Sequence, residues 1–155
     1  MRFSVITCSD TRSALEDTAG FALQELIKEQ GWEVASYTIV KDDIDAISDA
    51  ILDAVDEVEA DIVLTCGGTG LSPRDVTPEA TAMVCDRNVP GIAEAMRAYS
   101  LKITPHGMLS RAVCMQRGKA IVINFPGSKK AAIENWECVV PALAHAVKMA
   151  NGGGH

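Results

Sequence analysis

The sequence predicts an α/β domain built on a mostly parallel central sheet, and three observations carry that expectation. β-type runs at Arg2–Thr7, Glu33–Val40 and Asp61–Thr65 alternate with helical patterns at Asp17–Gln30 and Ile44–Val58, and such alternation is the mark of parallel crossovers. Asp61–Thr65 holds three consecutive apolar residues, Ile62-Val63-Leu64, rather than one at every second position, as for a strand covered on both faces. A chain of 155 residues suffices for one such core and leaves little room for a second. Residues 1–150 are expected to form that single domain, with 151–155 as a frayed, disordered tail.

Each element has its own signal. Arg2–Thr7 runs into Ser9-Asp10, which favour turns and caps. In the first helix Ala19, Ala22, Leu23, Leu26 and Ile27 share a face, and Gly31 supplies a stop. Glu33–Val40 is rich in β-branched and aromatic residues. Ile44, Ile47, Ile51, Leu52, Val55 and Val58 follow helical spacing, with acids on the other side. Cys66–Thr77 reads as a loop, then Pro78–Cys85 and Gly91–Leu101 as helices. Ser110–Gln116 and Lys119–Phe125 read as strands joined at Arg117-Gly118, and Lys129–Met149 as a long helix that Pro141 is expected to kink or split.

Composition removes several functions. Hydrophobic residues make up 48% and aromatics 5%, so the core is aliphatic and the chain is not of the disordered kind. There is no apolar run of about 18 residues for a membrane span, and the start is too short for a signal peptide; a cytoplasmic location is expected. A net charge of −7 opposes general binding to nucleic acid or anionic membrane. Five cysteines without CxxC spacing suggest small buried thiols rather than disulfides or zinc. Charge is segregated: Asp42–Glu59 holds eight acids and no base, whereas Ala95–Ile133 holds seven bases and no acid. The acidic stretch reads mainly as a solvated helix face; the basic one overlaps loops suited to anions.

Ligands in open α/β sheets bind at the carboxyl ends of the strands. Here those ends are the loops Ser9–Asp17, Lys41–Asp43, Cys66–Thr77 and Asn124–Lys130. Gly67-Gly68-Thr69-Gly70 follows a buried strand directly, and backbone N–H groups bare of Cβ form an anion-binding nest. Thr77-Pro78 reads as a helix cap and first turn. Asp75 suits either a cap or magnesium, which prefers carboxylates among phosphates. Of Asp42 and Asp43, one is expected to cap the following helix and the other to face the glycine loop. Arg111 offers a planar fork for phosphate, and Lys129 or Lys130 a point charge. Pro126-Gly127-Ser128 before a helix directs N–H groups at an anion. His106 and His145 receive no catalytic role.

Taken together, Gly67–Gly70, Arg74–Ala80, Leu109-Ser110-Arg111, Pro126-Gly127-Ser128, Ser9-Asp10 with Asp17 and Gly20, and the run Pro90–Arg97 resemble the MoaB/Mog family of molybdenum cofactor biosynthesis, in order along nearly the whole chain. The resemblance implies a three-layer α/β/α sandwich of the molybdopterin-binding type and a homotrimer or homohexamer. It implies Mg-ATP-dependent transfer of AMP to the terminal phosphate of molybdopterin, with release of pyrophosphate to solution and of product to a molybdate-inserting protein. Asp42 and Asp75 are then the catalytic, magnesium-holding pair. Gly67, Gly68, Thr69, Gly70, Ser9 and Asp10 bind nucleotide; Arg74, Ser110, Arg111, Pro126, Gly127 and Ser128 bind substrate. Lys41 stands where the family commonly has proline, which leaves Asp42 and Asp43 both open for the first carboxylate. A non-catalytic molybdopterin-binding or scaffold protein of the same fold is the alternative.

Overall fold

Alternation along the strands decides which helices cover which face. The computed structural model of the chain describes residues 1–154. In β1 (Arg2–Cys8) Phe3 and Val5 point to one side, and Ile6 and Cys8 to the other. The same split recurs in β3 (Ile62–Cys66) and β6 (Ala120–Phe125), where Ile62, Leu64, Ile121 and Ile123 join the first side and Val63 and Val122 the second. On the first face lie α1 (Thr18–Glu29), α4 (Pro90–Leu101) and α5 (Lys129–Ala150), with Leu23, Ile27, Met96, Trp136 and Leu143 buried. Phe3 stacks on Trp32 at 5.3 Å between ring centroids, with Trp136 tilted against it. On the second face lie α2 (Ile44–Leu52) and α3 (Thr77–Val84), burying Ile47, Ile51 and Ala80. The result is the three-layer α/β/α sandwich.

With β2 (Glu33–Val40), β4 (Arg87–Asn88) and β5 (Cys114–Arg117), the sheet has six strands in the order β2-β1-β3-β6-β5-β4. The first four run parallel; β5 is antiparallel to β6 and β4 to β5. Helices α1 and α2 leave the carboxyl ends of β1 and β2, so four loops converge on one rim, as the alternation predicts.

Several local expectations need correction. Residues 110–113 do not belong to β5, because the Arg111 N–H turns to Thr69 O (2.9 Å) instead of a strand neighbour. Thr77 lies inside α3, with Val76 at the cap position; the hydroxyl is drawn to Gly67 O at 2.9 Å. Helix α5 passes through Pro141 without a break. That residue is exposed, and so is Glu137, whose carbonyl it leaves without the usual intrahelical donor. The expected helix at Ile44–Val58 is α2 continued by a π-helical turn, Asp53–Glu57. The tail closes α5 rather than fraying from it: Gly153 N–H reaches Lys148 O and Gly152 N–H reaches Met149 O, both at 2.9 Å, a Schellman closure. His155, the last residue of that expected tail, lies outside the described residues. The strand Arg87–Asn88 and a 3₁₀ turn at Pro105–Leu109 were not anticipated.

Candidate active site at the carboxyl ends of the parallel strands

The two adjacent aspartates after β2 separate by role. Asp43 caps α2, its Oδ2 accepting from Ala46 N–H at 3.0 Å. Asp42 turns the other way, toward the loop after β1. Asp10 N–H donates to Asp42 Oδ2 (3.0 Å), and Asp42 N–H donates to Asp10 Oδ1 (3.1 Å). Arg74 completes the cluster, its Nε and Nη2 each 2.9 Å from an Asp10 oxygen. Among the described residues, Asp42 Oδ1 is the one buried side-chain N or O atom with no hydrogen-bond partner. Burial raises the Asp42 carboxyl above the ordinary carboxylate range, and the charges of Asp10 and Asp75 push the same way against the Asp10 amide and Arg74. Asp10 is held below that range by the hydrogen bonds from Arg74.

The glycine loop leaves β3 at this rim in a conformation that side chains would obstruct. Gly67 (φ +104) presses so close to β1 that a Cβ would lie 2.6 Å from Cys8 O. Gly68 (φ +67) leaves no more room: a Cβ there would lie 2.3 Å from Thr77 Oγ1 and 3.2 Å from Asp42 Oδ1. Left-handed backbone and close approach together require glycine at both positions. Asp75 faces the same loop, its Oδ2 accepting from Ser72 N–H at 3.1 Å and standing 2.8 Å from where a Gly70 Cβ would be. Asp42 and Asp75 thus both border the same stretch of bare backbone, one at Gly68 and the other at Gly70.

Arg111 lies beneath that stretch, and its guanidinium is occupied. Nε donates to Gly70 O at 2.7 Å, Nη2 donates to Asp75 O at 2.6 Å, and Nη1 pairs with Glu79. Arg97 anchors the segment in turn, Nη1 donating to Ala112 O at 2.7 Å. Thr69, Ser110 and Pro126 line a cavity of about 190 Å³ that also reaches His106, Glu134 and Asn135. Ser128 caps α5, accepting from Ala131 N–H at 3.3 Å, and Ser9 Oγ accepts from Arg12 N–H at 3.1 Å.

Three residues of the rim went unassigned in the sequence. Arg12 Nη1 donates to Gly127 O (3.1 Å) and lies 3.7 Å from the buried Asp17 carboxylate, tying the loop after β1 to the loop after β6. Asp17 also caps α1 through Gly20 N–H and accepts from Thr7 and Tyr37 hydroxyls. Asn124, fully buried in β6, donates to Thr65 Oγ1 and Thr81 Oγ1 at 2.9 Å each. The available signals were a lone base in the first loop and a polar residue inside the apolar run Lys119–Phe125. The basic stretch divides likewise: Arg117 pairs with Asp56 at the opposite end of the sheet, far from the rim. Cys8 and Cys66 sit under the rim with thiols pushed up to about 12 by burial, which leaves them protonated and poor nucleophiles at neutral pH.

Residues 4–145 match the family profile described as "Probable molybdopterin binding domain". The molybdopterin adenylyltransferase of Helicobacter pylori is 38% identical over 156 residues, spanning 98% of this chain and 89% of that protein. Molybdenum cofactor biosynthesis protein B of Bacillus cereus is 40% identical over 148 residues, spanning 94% of this chain and 88% of that protein. The crystal structure of the molybdopterin biosynthesis enzyme MoaB from Thermus thermophilus superimposes with a TM-score of 0.89 at 42% identity, covering 97% of this chain and 96% of that one. Fold and sequence agree along nearly the whole length, and the chain belongs to the MoaB/Mog family of molybdopterin-binding domains.

Proposed function

We propose that this protein is a molybdopterin adenylyltransferase, moving AMP from ATP to the terminal phosphate of molybdopterin. A phosphate oxygen of the pterin attacks the α-phosphorus of ATP. The bond from that phosphorus to its bridging oxygen breaks, and pyrophosphate leaves with the bond electrons. The attacking phosphate is already ionised at neutral pH, so neither His106 nor His145 is required as a base.

The observation that carries this reading is Asp42 Oδ1, buried without a partner against Gly68, in a loop that Asp75 borders at Gly70. A dry, unpaired carboxylate oxygen is a ready ligand for a hard cation. The donor set fits magnesium, which takes one or two protein carboxylates and completes its shell with phosphates and water. Asp42 and Asp75 would hold it, and when bound it supplies positive charge against the ATP phosphates. The rest of the work falls to the chain itself. Gly67, Gly68, Thr69 and Gly70, with Ser9 and Asp10, hold the nucleotide phosphates, largely through N–H groups that need no reorganisation as charge develops. Arg74, Ser110 and the loop Pro126–Ser128 meet the pterin, in keeping with the cavity that Thr69, Ser110 and Pro126 share.

Turnover with molybdopterin and Mg-ATP, following adenylylated pterin and pyrophosphate together, tests the reading. Asp75→Asn keeps the shape and removes the charge. A loss of at least about a hundredfold, roughly 2.7 kcal/mol in the barrier, is the expected result. Molybdopterin binding with no product from the wild type overturns it and leaves a scaffold.

The same reading includes a homotrimer or homohexamer in the cytoplasm that hands its product to a molybdate-inserting protein. Leu15 (98% exposed) and Phe21 (62%) support assembly, being large apolar side chains left in water by the single chain. Light scattering on the purified protein should give a mass of three or six chains; a monomer refutes the assembly. Among the described residues, no helix is long and apolar enough to cross a membrane.

A further inference from the structure

We infer that Arg111 is a positioning residue which, oriented by Glu79, staples the loop carrying Asp75, rather than a ligand of the substrate phosphate. The inference rests on the reading of Asp75 as a reactive-site carboxylate. Its ground is where the guanidinium goes. The two carbonyls it holds, Gly70 O and Asp75 O, stand at the start and the end of a loop whose middle, Leu71–Arg74, is exposed. One planar group thereby fixes the span of that loop. The backbone of Arg111 adds a third tie, its N–H donating to Thr69 O at 2.9 Å.

Glu79 lies in the first turn of α3, and the contacts of its side chain are with Arg111. Those contacts hold the Glu79 carboxyl below the usual carboxylate range, so it stays ionised as a counter-charge. Arg97 grips the chain on either side of Arg111, at Ser110 O and Ala112 O. The guanidinium is therefore anchored from behind, oriented from one side and used up in front. Lysine at this position would retain charge and reach, yet a point charge has no planar fork with which to hold two carbonyls at set positions. Asp75 would then lose its fixed relation to Asp42 without any substrate contact being removed. For a carboxylate that must meet a cation together with a partner, a displacement of about 1 Å is enough to cost about a hundredfold.

The test compares Arg111→Lys, Glu79→Gln and their double variant with wild type. Arg117→Lys, which alters a like-built pair with Asp56 at the far end of the sheet, is the control. Steady-state turnover is measured beside hydrogen exchange at the Ser72 and Asp75 amides. In Arg111→Lys, kcat should fall about thirtyfold while KM for molybdopterin stays within about twofold. Glu79→Gln should show the same pattern more weakly, and the double variant should be no worse than Arg111→Lys, as for two groups acting as one unit. Exchange at Ser72 and Asp75 should quicken about tenfold with β6 unchanged; Arg117→Lys should match wild type in kcat and in the loop.

A raised molybdopterin KM at unchanged kcat makes Arg111 a substrate ligand and overturns the inference. Unchanged exchange in the loop overturns it as well, as does exchange that quickens equally across β6. If the wild type turns nothing over, the adenylyltransferase reading fails, while loop exchange still decides whether Arg111 is the staple.

Discussion

At the scale of single residues, Asp42 is a carboxylate whose surroundings work against its charge. Its folded-state pKa is raised, chiefly by burial, so the folded chain binds that proton more readily than the unfolded one. Its contribution to stability is therefore full below the unfolded pKa and lost as pH rises through the raised value. At neutral pH the ionised carboxylate is a burden, and Asp42→Asn should raise the urea midpoint while turnover collapses. Under the proposed role activity has the opposite sign: holding a cation needs the ionised form, so kcat/KM should fall in acid, beginning above the ordinary carboxylate range. A pH–rate profile with no acid limb in that region would contradict this. Gly68 belongs to the same scale. Gly68→Ala forces a side chain into left-handed backbone and against Thr77 Oγ1; a loss of about 1–3 kcal/mol, read from the urea midpoint, is expected.

At the scale of elements, α5 offers a simple measurement. Pro141 lies inside this helix and is exposed, so its replacement removes little packing and restores an intrahelical hydrogen bond. Pro141→Ala should therefore raise stability, by about 1–3 kcal/mol; an unchanged or lower midpoint would show that the ring packs against something that matters. The expectation of a kink or a split rests on one lost bond and a clash with the preceding turn. The helix is not split there, because a long helix held by Ala132, Trp136, Val139 and Leu143 in the core tolerates that loss at an exposed position. Thr77 shows the same limit: its type suited a cap, but Gly67 O competed for the hydroxyl and won. Local signals rank the partners near in sequence and are blind to a carbonyl ten positions back.

At the scale of the whole molecule, Asn124 joins layers that no local pattern relates. From β6 it donates to Thr65 on β3 and to Thr81 on α3, and its Oδ1 accepts from Val113 N–H at 3.2 Å. Asn124→Ala takes this partner from two buried hydroxyls and from the part-buried Val113 N–H. A cost of about 2–4 kcal/mol at unchanged m-value is expected in urea, and a cost below about 1 kcal/mol would mean that water takes its place.

What the sequence determined by itself was the architecture and the address of the candidate site. Periodicity of two and of 3.6 is written locally, and alternation of strand and helix leaves a parallel sheet few ways to close. From that topology the four rim loops followed, and with them Asp42 or Asp43, Asp75 and the glycines. The tertiary structure alone decided the duties within that site. It gave the cap to Asp43 and the buried, unpaired oxygen to Asp42. It spent Arg111 on the Asp75 loop and set Arg12 across to Gly127, 115 residues away in the chain. The reason is physical: an element's existence depends on neighbours within a few residues, whereas a charged side chain takes the strongest partner in reach, and which partners are in reach is known only once the chain has closed.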